Sequence, residues 1–316
     1  MTAPVDADSV AAQLAGLAEV RHLDGVPAAD RASLIASAEV ILAATWPSEF
    51  GPDEARDSRA GFVQLLWAGA DRVPFDQLPR HAVIASNAGA FAEPMAEHAV
   101  AMTLALMKRL PQNHLKLAGG TWDQARTMRV LGSVQLIVGF GGVGQAAGRM
   151  LRALGARIYA LNTSGHTTGP VDFAGTLDDL HDVLPEADAV LLSIPLTRRT
   201  RGLIGHRELA LMKPGAVLVN VARGAVIDEA ALYEHLVAVP TFSAGIDTWW
   251  QEPGESVGFA VSHPFFDLPN VLGSPHNSGM VPGTIRAATR QAVDNIVRFL
   301  RSEPVTGVVR AEDYGD

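Results

Sequence analysis

Three polar side chains follow apolar segments in the second half of the chain. Arg223 lies in NVARGAVIDEAAL, Glu252 in GIDTWWQEP and His276 in LPNVLGSPHNSG. The guanidinium of arginine offers a forked, permanently charged donor to a carboxylate. A histidine that is oriented by a carboxylate can accept and return a proton near neutral pH. An anion anchor, an acid/base and an orienting group together suit a proton-coupled hydride transfer.

The joint arrangement of these residues carries more weight than any one of them. An isolated arginine after a strand is usually a surface cation, an isolated Glu-Pro is usually part of a loop, and His276 is one of ten histidines. All three nevertheless follow predicted parallel strands, and open α/β sheets bind ligands at the carboxyl ends of such strands. We therefore predict Arg223, Glu252 and His276 as catalytic residues.

A glycine-rich turn precedes these residues in the chain. The apolar segment 134–138 runs directly into GFGGVG, which contains Gly139, Gly141 and Gly144. In a dinucleotide-binding turn the first glycine allows a tight turn, the second lets the backbone approach a pyrophosphate, and the third lets the helix pack on the strand. The pyrophosphate then lies against unpaired N–H groups at the helix N-terminus. The motif predicts a dinucleotide site; the alternative is a structural turn that binds nothing.

The residue expected to contact the adenosine ribose departs from the usual pattern. An acidic residue is expected about 20 residues after the glycines, and the chain has Asn162 there. An amide does not repel a ribose 2′-phosphate as a carboxylate does. Arg198 and Arg199, after the next long apolar segment, could lend positive charge, and His166 is a weaker candidate. We predict that NADP is accepted and favoured, and that NAD is usable.

Composition bounds the class of protein. A chain of 316 residues is expected to form about two domains, and 48% hydrophobic against 19% charged residues excludes intrinsic disorder. The net charge of −9 argues against a nucleic-acid partner. No apolar run reaches the ~18 residues of a membrane helix, and the N-terminus lacks the pattern of a secretory signal. With no cysteine there is no thiol nucleophile, and we expect no metal site and a cytoplasmic location.

Alternating apolar segments and helical patterns predict βαβ units with a parallel sheet. The predicted strands are 40–43, 62–67, 81–85, 134–138, 157–161, 189–194, 216–221, 242–246 and 271–274. Helices are predicted over 93–116, with Pro111 bending or splitting the helix, over 143–154, and over 282–301. Residues 1–5 are a poor candidate for the first strand of such a unit.

The chain closely resembles the D-2-hydroxyacid dehydrogenase family. The resemblance rests on GFGGVG, LLSIPLTRRTRGLIG, LMKPGAVLVNVARGAVIDEAAL, the D-x-x-x-x-E-P element, HPFFDLPNVLGSPH, WAGAD and AEHAVAMTLAL. It implies an α/β fold in which a Rossmann-type dinucleotide-binding domain, residues 91–280, is inserted into a smaller flavodoxin-like substrate domain, residues 1–90 and 281–316. It also implies a homodimer built on the cofactor domain.

The family implies the reversible oxidation of a D-2-hydroxy acid to a 2-keto acid. His276 would exchange the hydroxyl proton, Glu252 would orient its imidazole, and Arg223 would bind the substrate carboxylate. The backbone N–H groups of Ala68 and Gly69 would hold the other side of that carboxylate. The cofactor contacts implied by the match are Gly139, Gly141, Gly142, Val143, Gly144, Asn162, Thr163, Ser164, Ile194, Pro195, Thr200, Val221, Ala222 and Asp247, the last facing the nicotinamide amide.

Several alternatives remain open at this stage. Formate dehydrogenases share the motif set but carry glutamine in the place of Glu252, and some members of the family are cofactor-binding corepressors. The chain length disfavours an allosteric phosphoglycerate dehydrogenase, which leaves glyoxylate or hydroxypyruvate as the expected substrate. His98 is expected to be a helix or interface residue. Trp249 and Trp250 could either shape a substrate pocket or pack in the core.

Overall fold

The computed structural model describes residues 7–44, 49–51, 53–253 and 257–314. The chain divides into two compact units, one made of Met1–Phe91 with Val281–Asp316 and the other of Ala92–Met280. The segment 1–5, considered as a first strand from sequence, lies outside the described residues. None of the described helices is long and apolar enough to cross a membrane.

Helices and strands alternate through most of the chain. The helices are α1 Ala7–Leu14, α2 Ala28–Ser37, α3 Ala92–Met107, α4 Leu110–Ala118, α5 Gly142–Ala153, α6 Leu180–Val183, α7 His206–Leu211, α8 Glu229–Ala238 and α9 Thr284–Leu300. The strands are β1 Val40–Ala43, β2 Phe62–Leu65, β3 Val83–Ala85, β4 Val134–Val138, β5 Arg157–Leu161, β6 Phe173–Gly175, β7 Ala189–Leu192, β8 Val217–Asn220, β9 Ser243–Ile246 and β10 Val271–Gly273. The short strand β6 was not predicted from sequence.

The smaller unit is built on a parallel sheet of order β1-β2-β3. The central strand β2 is buried throughout, and α9 packs against it. Phe62 on β2 stacks on Phe299 of α9, with ring centroids 4.8 Å apart. The buried Gln64 side chain accepts a hydrogen bond from Asn295 Nδ2 at 2.6 Å. This bond satisfies a polar pair that would otherwise be costly to bury.

The larger unit contains a sheet of seven parallel strands in the order β10-β9-β8-β7-β4-β5-β6. The chain starts at β4, builds outward through β5 and β6, and then returns to the other side of β4 at β7. This is the doubly wound order. All strands stay parallel, but the side of β4 on which new strands are added changes between β6 and β7, and such sheets bind dinucleotides at that point. The predicted α/β fold class is confirmed.

Helices cover both faces of the larger sheet, so its strands are apolar on both sides. Strand β4 is buried at all five positions. Leu136 and Val138 contribute to the hydrophobic cluster on one face, and Ile137 contributes to the cluster on the other face, together with residues of α3 and α5. Burial on both faces explains why four of the five residues of β4 are apolar. The exception, Gln135, is buried and donates a hydrogen bond to Ser133 Oγ at 2.8 Å.

The long helix predicted over 93–116 is interrupted earlier than expected. Helix α3 ends at Met107 and α4 begins at Leu110, and between them Arg109 adopts a left-handed conformation with φ 51°. Pro111 therefore lies in the first turn of α4, where its missing N–H costs no helical hydrogen bond. The proline begins a second helix here and does not bend a continuous one.

Candidate active site

The three predicted catalytic residues lie on loops that begin at the same edge of the larger sheet. Strands β8, β9 and β10 are adjacent and parallel, with Asn220 paired to Ile246 and Ile246 paired to Gly273. Arg223 follows the carboxyl end of β8. Glu252 and His276 follow β9 and β10 in the same way.

His276 and Glu252 form a hydrogen-bonded pair. The imidazole Nδ1 lies 2.9 Å from the carboxylate, and the side chains are 39% and 10% exposed. The Glu252 carboxylate also accepts the N–H of Trp249 at 3.0 Å, which fixes its position on the loop after β9. A carboxylate on Nδ1 sets the orientation of the ring and leaves Nε2 as the nitrogen that can exchange a proton.

The loop that carries His276 is wrapped around Asp247. His276 adopts a left-handed backbone conformation, with φ 50°, and its N–H donates to the Asp247 carbonyl at 2.8 Å. The Asp247 side chain is fully buried and accepts the Ser274 hydroxyl at 2.5 Å. It also accepts the N–H groups of Asn277 and Ser278, at 3.2 Å and 3.3 Å. Asp247, predicted to face a nicotinamide, thus organises this loop.

Arg223 is held on a loop that touches the loop after β9. The side-chain amide of Asn220 donates to the Arg223 carbonyl at 2.9 Å, and Arg223 Nη1 donates to the Ala222 carbonyl at 2.8 Å. At the next position, Gly224, a Cβ atom would lie 2.4 Å from the carbonyl carbon of Trp249. Only glycine permits this approach, which brings the Arg223 loop against the segment that leads to Glu252.

The glycine-rich turn between β4 and α5 has room where a dinucleotide would need it. A Cβ at Gly139, whose φ is 97°, would lie 2.4 Å from Ile194 Cγ2, and a Cβ at Gly144 would lie 2.2 Å from the Gly139 carbonyl oxygen. Both glycines are therefore required by the turn itself. A Cβ at Gly141 would meet no atom within 4 Å. Gly141 is the N-cap of α5 and offers no side chain to its first N–H groups, so the turn fits a pyrophosphate.

Asn162 closes the turn that follows β5. Its Oδ1 accepts the N–H groups of Ser164 and Gly165 at 2.9 Å and 2.8 Å, and its Nδ2 donates to the His166 carbonyl at 2.8 Å. Thr163 and Ser164 are exposed on this turn. Of the two arginines expected to lend charge, Arg199 forms an ion pair with Asp178.

The remaining predicted residues also lie after strands. Thr200 Oγ1 donates to the Pro195 carbonyl at 2.7 Å and closes the loop after β7. Ile194, Val221 and Ala222 are buried at the carboxyl ends of β7 and β8. Ala68 and Gly69 belong to the smaller unit, where they follow β2. Trp249 is buried and packs on Phe259, Phe265 and Phe266, and the half-buried Trp250 stacks on Phe265.

Two residues of this region were not predicted from sequence. His98, on α3, places its Nε2 2.9 Å from the Ser274 hydroxyl and 3.6 Å from Asp247 Oδ1. The sequence signal was a histidine beside Glu97 at the start of the mainly apolar segment AEHAVAMTLAL, which suggested only a helix or an interface. Ser274 carried no signal, because a serine between a strand and a proline is typical of ordinary loops.

The fold and this site define a dinucleotide-binding α/β protein with a histidine–carboxylate pair and an arginine at one sheet edge. Residues 100–278 match the model of the family described as D-isomer specific 2-hydroxyacid dehydrogenase, NAD binding domain. The chain belongs to the D-isomer specific 2-hydroxyacid dehydrogenase family. The resemblance inferred from sequence and the NAD-binding class of the larger unit are confirmed.

Curated relatives include a D-3-phosphoglycerate dehydrogenase of Methanocaldococcus jannaschii, 30% identical over 249 residues that cover 76% of this chain and 46% of that protein. The chain thus spans about half the length of the first relatives that it matches. A hydroxypyruvate reductase of Thermotoga maritima is 30% identical over 220 residues, which cover 69% of this chain and 70% of that protein.

Solved structures show the same architecture. A candidate formate dehydrogenase from Pyrobaculum aerophilum superposes with a TM-score of 0.81 and 28% identity, covering 100% of this chain and 98% of that one. A D-isomer specific 2-hydroxyacid dehydrogenase from Xanthobacter autotrophicus, in complex with NADPH and MES, gives a TM-score of 0.76 and 26% identity, covering 96% and 94% of the two chains.

Proposed function

We propose that the protein is an NAD(P)-dependent oxidoreductase that interconverts a D-2-hydroxy acid and a 2-keto acid. The observation that carries the proposal is the His276–Glu252 pair, 2.9 Å apart, which joins the loops after β10 and β9 beside the loop that holds Arg223. A bound nicotinamide cofactor would supply or accept the hydride. The protein itself must bind the substrate carboxylate and move one proton.

Each of the three side chains has a separate task in this reaction. His276 Nε2 takes the hydroxyl proton during oxidation and returns it during reduction, because Nδ1 is engaged by Glu252. The Glu252 carboxylate stabilises the positive charge that the imidazole acquires. Arg223 binds the substrate carboxylate and stabilises the charge that develops on the carbonyl oxygen. Ala68 and Gly69, which belong to the smaller unit, remain predicted backbone donors to a substrate carboxylate.

Small keto acids such as glyoxylate and hydroxypyruvate are the proposed substrates. The hydroxypyruvate reductase among the relatives supports this choice. The deciding experiment is a panel of glyoxylate, hydroxypyruvate and bulkier keto acids with NADH and NADPH, and formate with NAD and NADP. Turnover of a keto acid supports the proposal. Turnover of formate alone would favour a formate dehydrogenase, and cofactor binding without any turnover would favour a regulatory protein.

We further propose that NADPH is accepted and favoured. Residue 162 carries no charge that would repel a 2′-phosphate, and the NADPH complex of the Xanthobacter relative supports this cofactor for the family. Asn162→Asp should lower kcat/KM for NADPH by a factor that corresponds to about 1–3 kcal/mol, while kcat/KM for NADH stays unchanged. Aspartate keeps the acceptor oxygen that closes the turn. Asn162→Ser, which adds no charge, is the matched control, and a tenfold preference of the wild type for NADH would contradict the proposal.

We propose a homodimer formed through the larger unit. The apolar side of α3 is already buried within this unit, so it does not support a dimer interface. Exposed apolar residues on α4 and in the segment after it support one instead. Leu110, Leu115, Leu117 and Trp122 are 59%, 61%, 56% and 79% exposed. Sedimentation should give twice 33.4 kDa at micromolar concentration, and Leu115→Lys with Trp122→Ser should give a monomer. A monomeric wild type would contradict the proposal.

A further inference from the structure

Ser274 is the residue at which the loop that carries His276 leaves the sheet. Its N–H donates to the Ile246 carbonyl at 2.9 Å, and its carbonyl accepts the indole N–H of Trp249 at 2.9 Å. Its hydroxyl donates to Asp247 Oδ1 at 2.5 Å. Three hydrogen bonds thus fix Ser274 two residues before the imidazole.

His98 adds a fourth hydrogen bond to this residue. A serine hydroxyl has one proton, and that of Ser274 is donated to Asp247. The Ser274 oxygen, 2.9 Å from His98 Nε2, must therefore accept a hydrogen bond from the imidazole N–H. The result is a directed chain in which His98 Nε2–H donates to Ser274 and Ser274 donates to Asp247. His98 lies on the 16-residue helix α3, so the chain ties the loop to a rigid element.

Asp247 depends on donors of this kind because it is fully buried. Burying a carboxylate without compensating hydrogen bonds costs several kcal/mol or more. The Asp247 oxygens accept Ser274 Oγ, with the N–H groups of Asn277 and Ser278 farther away at 3.2 Å and 3.3 Å. The Ser274 contact is the shortest of the three, and His98 orients the hydroxyl that makes it.

We propose that His98 is a positioning residue for His276. Through Ser274 and Asp247 it stabilises the loop in which His276 holds a left-handed backbone, with φ 50°, a conformation that persists in a non-glycine residue only when its surroundings fix it. The loop thereby orients the His276 imidazole, whose Nδ1 is hydrogen-bonded to Glu252. The inference deepens the proposed function and rests on it for its kinetic consequence only.

The first experiment needs no activity. Hydrogen exchange of the amides of residues 276–278 is measured in the wild type and in His98→Ala, His98→Gln and His181→Ala. His181 is the matched control, since it is a half-exposed histidine that pairs with Glu208 in the same unit. His98→Ala should accelerate exchange by about three- to tenfold, the effect of one lost hydrogen bond. His98→Gln, which keeps a donor, should restore protection, and His181→Ala should change nothing. Wild-type protection in His98→Ala would overturn the proposal.

The second experiment measures turnover of the keto acid. His98→Ala and Ser274→Ala should each lower kcat by about tenfold, because a misaimed acid/base reacts slowly, while KM for NAD(P)H stays unchanged. The kcat of the double variant should be no lower than that of the slower single variant, because both substitutions interrupt the same series of hydrogen bonds from His98 through Ser274 to Asp247. Additive losses, or a loss confined to the cofactor KM, would overturn the proposal. A wild type that reduces no keto acid would refute the proposed function, and the exchange experiment would still decide the role of His98.

Discussion

Two histidine–glutamate pairs in the larger unit have nearly the same local geometry. His276 lies 2.9 Å from Glu252, and His181 lies 2.7 Å from Glu208. The histidine side chains are 39% and 38% exposed, and the glutamates are 10% and 14% exposed. Distance and burial alone therefore do not distinguish the proposed catalytic pair from the second pair.

The difference lies in the backbone that carries each pair. His181 is in the ordinary helical turn α6, and Glu208 also accepts the N–H of Gly205 at 3.0 Å at the start of α7, so this pair joins two helices. His276 instead lies after β10, in a left-handed conformation, on the sheet edge that also presents Arg223. The first pair lies at the carboxyl edge of the sheet, where such sheets bind ligands, whereas the second pair joins two helices away from that edge.

The pKa of Glu208 reflects this structural role. Burial raises the pKa of the carboxyl, but hydrogen bonds from His181 and from the Gly205 N–H lower it more, so the net shift is downward. A carboxyl whose pKa is lowered in the folded state stabilises the fold at neutral pH. That contribution is lost as the pH falls through the folded-state pKa.

The largest expected difference between the two pairs is in turnover. His276→Ala should lower kcat by ~10²–10⁴-fold, the usual effect of removing a general acid/base, with the Kd of the cofactor near its wild-type value. His181→Ala should keep kcat within about twofold, because His181 lies between α6 and α7 and not at the carboxyl edge of the sheet, where such folds bind ligands. Equal losses in the two variants, measured by NAD(P)H oxidation, would make the comparison wrong.

A second test uses the arginine beside each pair. Arg223→Lys should lower kcat/KM for the keto acid by about 10- to 100-fold, because a point-charge ammonium does not reproduce the forked guanidinium. The exposed Arg207, which precedes Glu208 in α7, is the control, and Arg207→Lys should have no effect. If Arg223→Lys changed only the KM of the cofactor, Arg223 would belong to the dinucleotide site.

A smaller effect is expected from neutralising each glutamate. Glu252→Gln keeps a side chain of the same length but removes the charge that stabilises the protonated imidazole, so kcat should fall by about tenfold. Glu208→Gln should leave kcat unchanged. Formate oxidation by Glu252→Gln, absent in the wild type, would show that this position selects between the two reactions.

The smallest expected effect is on stability. Glu208→Gln should lower the free energy of unfolding at pH 7 by about 1 kcal/mol, the size of one partly buried charged hydrogen bond. Because the pKa of Glu208 is lowered in the folded state, the difference from the wild type should shrink as the pH falls below about 4. Urea unfolding of both proteins, at pH 7 and again below about pH 4, measures this difference in the free energy of unfolding. A difference that grew on acidification would contradict the pKa direction.

Residues that must be of one type for a local backbone reason could be found from the sequence. Gly139 and Gly144 leave no room for a Cβ, so the glycine motif predicted the turn. Largely apolar segments such as 134–138 are buried on both faces of the sheet, so their pattern predicted the strands and the fold class. The family motifs also indicated Arg223, Glu252 and His276, and each of these residues lies on the loop after the carboxyl end of a strand. The edge strand β6 was missed, because its sequence FAG ends in a glycine and belongs to no longer apolar run.

Only the tertiary structure showed the polar contacts that no motif predicted. His98 and Ser274 are 176 positions apart, and no local pattern relates them. The family motifs predicted that Glu252 meets His276, but nothing in the sequence indicated the His181–Glu208 pair, although the two pairs join the same residue types across comparable separations of 24 and 27 positions. Local preferences determine strands, turns and helices along the chain, whereas the doubly wound order of the sheet determines which loops share an edge. That order brings β8, β9 and β10 side by side and places the site there.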